Sequence, residues 1–338
     1  MAANARASCD PEGADSRLLS VFHTMPANVM LDIKNTDFPS GEQTLREAAC
    51  GLTASQTAGG VPQSPGEIAT AASLLEATAR KPGNVHPAAA FADLCYADLQ
   101  AAAWAIGPPL DRAGREPLGQ VIHEAVVAAR AVSQSNANLG IVLAVAPLAA
   151  ATAAGGDLSP TAVRRVLATL DRTDAASIYQ AIRTSGAGGL GQRSVHDVAG
   201  PAPASILAAM QAAAERAPSD SIAALWAGGY EPLWAGPVAD LAEFEAAGCG
   251  WEETIVRAAL RQLAHTPDSL IARRHGLPAA IEVAGQARAI ADLSGSDWTA
   301  AVARFDHGLR VPRRLNPGTT ADLIAAALYI HLWQSIRK

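Results

Sequence analysis

From Ser64 onward, apolar positions recur every three or four residues, the spacing that gathers them on one face of a helix. This pattern predicts helical stretches at 68–80, 91–106, 117–133, 138–153, 159–170, 174–183, 203–216, 219–227, 238–247, 250–264, 267–275, 278–291, 296–306 and 319–335. Most are bounded by Pro, Gly, Ser or Asp, residues that stop or cap helices. Ser64-Pro65-Gly66-Glu67 reads as a helix start, with a capping serine, proline at the first position and glutamate three residues after the cap. Thr319 and Asp322 repeat the spacing, which predicts Thr319 as the N-cap of the last helix. Short β-branched alternations are few, so the expected class is all-α, a single multi-helix domain over residues 65–338. The run at 139–154 is almost wholly apolar. It is short for a bilayer and interrupted by Pro147, so it reads as a buried helix.

Residues 1–64 follow a different pattern. Asp10-Pro11-Glu12-Gly13, Phe38-Pro39-Ser40-Gly41 and Ala58-Gly59-Gly60 interrupt it repeatedly, and sustained periodicity is missing. The expectation is a loose N-terminal extension, partly disordered, with one short helix.

Composition narrows the picture. Hydrophobic residues make up 49% of the chain and aromatic ones only 4%, so Ala, Leu, Val and Ile must fill the core. A net charge of −6 argues against a nucleic-acid partner. No membrane partner is expected either. Cys9, Cys50, Cys95 and Cys249 are scattered, without a CxxC pair, and read as reduced thiols of a cytoplasmic protein. The pattern leaves the oligomeric state open.

Candidate chemistry sits in turns. Asn316-Pro317-Gly318-Thr319-Thr320 precedes an apolar helix, and free N–H groups at such a start suit an anion. Far upstream, Lys81-Pro82-Gly83-Asn84-Val85-His86 offers a cation and a glycine that permits close approach, although it also reads as a helix stop. Asp93 and Asp98 fall on the next expected helix, as Mg²⁺ ligands or as solvated acids. His86 is a candidate proton donor or a capping imidazole. Ser133 to Gly140, with Asn136 and Asn138, places amides beside the apolar helix. Gly186 to Arg193 is glycine-rich but lacks a preceding strand, so a dinucleotide fold is not indicated. Arg273 and Arg274 end a helix that Asp268 begins, and Arg313 and Arg314 precede the final turn.

Taken together, Lys81-Pro82-Gly83, Asp93-Leu94, Asn136 to Gly140, Asp268 to Gly276 and Asn316 to Leu323 resemble the triphosphoribosyl-dephospho-CoA synthase family, over residues 66–335. That resemblance implies an all-α fold and a pentosyltransferase. It would move the triphosphoribosyl group of ATP to a ribose hydroxyl of dephospho-CoA, releasing adenine, with Mg²⁺ as the companion of the triphosphate. It further implies Asp93 and Asp322 as catalytic or metal-binding carboxylates. Lys81, Gly83, Asn136, Asn138, Arg274, Asn316 and Thr319 would contact the nucleotides. The family's Lys-Pro-Gly continues with Leu-Val-Asp where this chain has Asn84-Val85-His86. Its Asn-Thr-His-Lys-Gly becomes Asn136-Ala137-Asn138-Leu139-Gly140. These departures mark a divergent branch. The changed Asn138-Leu139 pair motivates a second reading, another acceptor such as a pterin-type one-carbon carrier precursor, and a third reading is a noncatalytic nucleotide-binding protein.

Overall fold

The computed structural model describes residues 43–54, 61–133, 135, 138–153, 157–186, 198–217 and 220–337. Among these residues there is no strand, only isolated bridges such as Phe91 with Leu94. The helices are α1 (Leu45–Thr53), α2 (Pro65–Thr78), α3 (Tyr96–Leu110), α4 (Leu118–Val132), α5 (Leu139–Ala153), α6 (Pro160–Ala168), α7 (Arg172–Ser185), α8 (Ile206–Arg216), α9 (Ser221–Ala227), α10 (Ala239–Ala246), α11 (Trp251–His265), α12 (Ser269–His275), α13 (Leu277–Ala291), α14 (Gly295–Arg310) and α15 (Gly318–Ile336). A π-helical turn, Trp234–Val238, leads into α10.

Helices α2, α5 and α15 are apolar around most of their circumference and form the centre, with α15 packed on both others. A helix hydrophobic on all sides is stable only when surrounded, and this is how the run at 139–154 is accommodated. None of the described helices is long and apolar enough to cross a membrane. Pro147 sits inside α5 without breaking it. Lacking an N–H, it leaves the Leu143 carbonyl without a helical donor. Trp226 Nε1 donates to that carbonyl at 3.0 Å and the Tyr230 hydroxyl at 3.3 Å. The side chains of a neighbouring element thus complete the α5 ladder, which a buried carbonyl requires.

A second, smaller core joins α11, α12, α13 and α14 through Leu260, Ile271, Val283, Phe305 and Leu309. The expected short helix of the N-terminal extension is α1, and its Leu45, Ala48 and Ala49 join the main core. The capping box expected at Ser64 is formed: Ser64 Oγ accepts from Glu67 N at 3.2 Å, and Glu67 Oε2 accepts from Ser64 N at 3.1 Å.

Two local expectations change. The helix expected from residue 91 starts at Tyr96, because Phe91–Leu94 closes a tight turn and the Asp98 carboxylate caps Cys95 N at 2.9 Å. Asp93 therefore lies on the turn. Thr319 does not cap the last helix, which begins at Gly318 with Pro317 in the capping position. The cap comes from another helix, with Asp268 accepting from Thr320 N at 2.7 Å and from the Thr320 hydroxyl at 2.9 Å. With that work done by Asp268, Asp322 is free to point elsewhere.

Candidate active site

A cavity of about 1050 Å³ opens where the two cores meet, walled by the starts of α5 and α15, the ends of α7 and α12, and one side of α8. It is built on a junction of two distant turns. Asn84 Nδ2 donates to Asn316 Oδ1 at 2.8 Å and to the Pro317 carbonyl at 3.3 Å. Gly83 has φ +76°, and a Cβ there would lie 2.8 Å from the Leu315 carbonyl oxygen. Only glycine combines that conformation with that approach. The close neighbour that Gly83 admits is protein backbone. Its N–H donates to Asp306 Oδ1 at 2.7 Å, and Arg310 bridges Asp306 to the Asn84 carbonyl.

At the start of α5, Gly140 serves Asp322. A Cβ at Gly140 would lie 1.9 Å from Asp322 Oδ2, and the Ile141 N–H hydrogen-bonds the same carboxylate. The helix start favours negative charge there. Burial, together with the carboxylates of Glu76 and Asp268, nevertheless holds the Asp322 pKa well above the usual range, with Arg273 pulling it back. Glu76 lines the cavity near Asp322. Beneath it lies Lys81, 1% exposed, with Nζ 2.9 Å from Glu76 Oε1 and further bonds to the Glu76 and Ala79 carbonyls. Lys81 is thus sited as the counter-ion of Glu76, behind the cavity wall.

The opposite character comes from arginine. Six arginines (Arg130, Arg216, Arg273, Arg274, Arg313 and Arg314) line the cavity against four carboxylates, Glu76, Asp93, Asp220 and Asp322. Six arginines against four carboxylates leave a positive surplus, which suits a polyanion. Asp93 stands exposed at the mouth, 2.5 Å from Arg314, which lowers its pKa and stacks over Phe91 at 4.8 Å. Arg313 pairs with Glu282 at 2.9 Å. Asn316 and Thr319 line the cavity, and Thr319 Oγ1 accepts from Ser269 at 2.8 Å. Asn138 is buried, and its Nδ2 has no partner among the described residues. Asn136 lies outside the described residues, as does the glycine-rich loop beyond Gly186. Burial and Arg310 push the His86 pKa down to about 4, and its Nδ1 accepts from Ala88 N, so His86 is neutral near pH 7 and has no proton to give from that nitrogen.

The structure therefore brings Asp93, Arg274, Asn316, Thr319 and Asp322 to one cavity and keeps Lys81 behind it. Glu76, Arg130, Arg216 and Asp220 are charged lining residues that motif reading passes over. A carboxylate among the buried alanines and leucines of the later turns of α2, five residues before Lys81, is the signal that points to Glu76.

All-helical architecture and an arginine-rich cavity with a cradled carboxylate make a candidate site whose charge suits a polyphosphorylated small molecule. The family model of CitG, ATP:dephospho-CoA triphosphoribosyl transferase, matches residues 62–338, and the chain belongs to that family. It is accordingly a transferase that moves the triphosphoribosyl group of ATP to dephospho-CoA. Among solved structures, the crystal structure of a protein assigned as a triphosphoribosyl-dephospho-CoA synthase from Archaeoglobus fulgidus is similar at TM-score 0.55 and 22% identity, over 69% of this chain and 97% of that one. That likeness supports the helical fold. Among curated proteins, none matches the chain.

Proposed function

We propose that the 1050 Å³ cavity is where the transfer takes place, with the ATP triphosphate held by Arg273, Arg274 and Arg314 and the acceptor hydroxyl brought to Asp322. The observation that carries this reading is the Asp322 carboxylate, pressed against Gly140 at a helix start within the arginine-lined cavity. In the reaction the ribose C1–N9 bond of ATP breaks and a C1–oxygen bond to the acceptor ribose forms. Positive charge develops at C1, as in glycoside chemistry. Asp322 accepts the hydroxyl proton, and its raised pKa makes it a stronger base once ionised. Adenine departs with the bonding electron pair and takes up a proton. Asp93 fixes Arg314 at the mouth, and Asn316 and Thr319 stand where ribose or phosphate oxygens would pass.

Mg²⁺ as the companion of the triphosphate belongs to the same reading. Glu76 and Asp322 are neighbouring carboxylates with Lys81 the buried cation beside Glu76, and among the described residues no group of three or more metal-ligating side chains occurs. Mg²⁺ suits such a sparse set, since it keeps water and phosphate as its remaining ligands. Glu76 would hold it. When bound, the ion would neutralise triphosphate charge.

Adenine release from ATP in the presence of dephospho-CoA and Mg²⁺ is the direct assay. Asp322→Asn is expected to slow it by about 100- to 10,000-fold while thermal unfolding stays within a few degrees of the parent. Wild-type turnover in that variant would remove Asp322 from the chemistry. Adenine release with a different acceptor only would redirect the acceptor assignment.

A further inference from the structure

At about 1050 Å³ the cavity lies at the upper end of the roughly 300–1,000 Å³ typical of small-molecule sites, room enough for a long ligand. Its two sides also differ in chemistry. The α12 side carries Arg273 and Arg274, whereas α8 presents Ile206, Ala209, Met210 and Ala213 and then Arg216. Their spacing of three and four residues places these α8 positions on one helical face. Helix α8 packs on α7 and α9, and α12 packs on α13 and α15, so the two sides belong to separate parts of the bundle. The α8 face runs about 15 Å from Ile206 to Arg216, at 1.5 Å per residue. Ile182 of α7 adds to the apolar lining. Arg216 is exposed and has neither ion pair nor hydrogen bond among the described residues, unlike Arg313 and Arg314.

A triphosphate has no use for a long apolar strip, and an adenine ring is shorter than this one. The acceptor named by the family does have a complementary part: an extended pantetheine arm, largely apolar in its dimethyl and methylene segments, joined to a phosphate. We propose that the α8 face seats that arm, with Met210 and Ala213 against the chain and Arg216 against the phosphate. This deepens the transferase reading and rests on it. It makes α8 the acceptor-selecting wall and leaves the donor to the α12 side.

The test uses the full chain and 4′-phosphopantetheine, which carries the arm and its phosphate but no adenosine, followed by isothermal titration calorimetry. The compound is expected to bind, to be displaced by dephospho-CoA and to be indifferent to ATP. Ala213→Phe, which fills the strip, should weaken binding by about 10-fold or more, as should Arg216→Ala on the exposed end. If Ala213→Phe does not fold, Arg216→Ala and the displacement pattern still decide. Absence of binding, displacement by ATP instead of dephospho-CoA, or unchanged affinity in a folded variant would overturn the assignment. Failure of the transferase reading looks different: 4′-phosphopantetheine and dephospho-CoA would compete as described, yet no adenine would be released.

Discussion

One methyl group is enough to probe the Asp322 cradle. Gly140→Ala would place a carbon 1.9 Å from Asp322 Oδ2, so either the carboxylate or the start of α5 must move. The expected result is a loss of about 1–3 kcal/mol in stability, read by denaturant unfolding, together with impaired adenine release. Lys81→Met probes the other half of the carboxylate pair. Because Lys81 Nζ sits 2.9 Å from the buried Glu76, removing it leaves a charge without a partner, and about 3–5 kcal/mol should be lost. A variant that keeps its stability but binds ATP weakly would instead make Lys81 a phosphate contact. At this scale the final turn was legible as a site because Asn316, Thr319 and Asp322 share a segment whose residue types suit anions and protons. Glu76 was less so: an acid in the middle of an apolar helix marks itself by the cost of burial but does not name its partner, which the folded chain supplies in Lys81.

Among the elements, the junction of α12 with α15 depends on Asp268. Its carboxylate accepts from Leu270 N at 2.8 Å, Ile271 N at 3.0 Å and both donors of Thr320, and so caps one helix and holds the start of another. Asp268→Ala should cost about 2–4 kcal/mol and reduce ATP affinity together with stability, because Arg273 and Thr319 are placed by that junction. Wild-type unfolding in this variant would show that the junction stands without the carboxylate. Helix positions were largely readable in advance, since apolar period, proline and glycine mark them locally. The Ser64 cap was readable for the same reason: Ser64 and Glu67 bond each other. The α15 cap was misread because its acceptor comes from residue 268, and no local rule distinguishes a threonine that caps from one that is capped. Asp93 was assigned to a helix because its apolar neighbours fit the period, while the Phe91–Leu94 turn and the Cys95–Asp98 cap delay the helix to Tyr96.

For the molecule as a whole, class was evident from apolar periodicity, whereas the meeting of two cores around a cavity was not, since sequence spacing carries no distance between segments 232 residues apart. The clasp of Gly83 and Asn84 on Leu315, Asn316 and Pro317 supplies that distance. The helix that fills the centre, α15, starts directly after that clasp, and without it α2 and α5 would lack the neighbour that buries them. A chain cut near residue 310 would expose a greasy trough along α2 and α5 and lose Asp322, so it should neither unfold cooperatively nor release adenine.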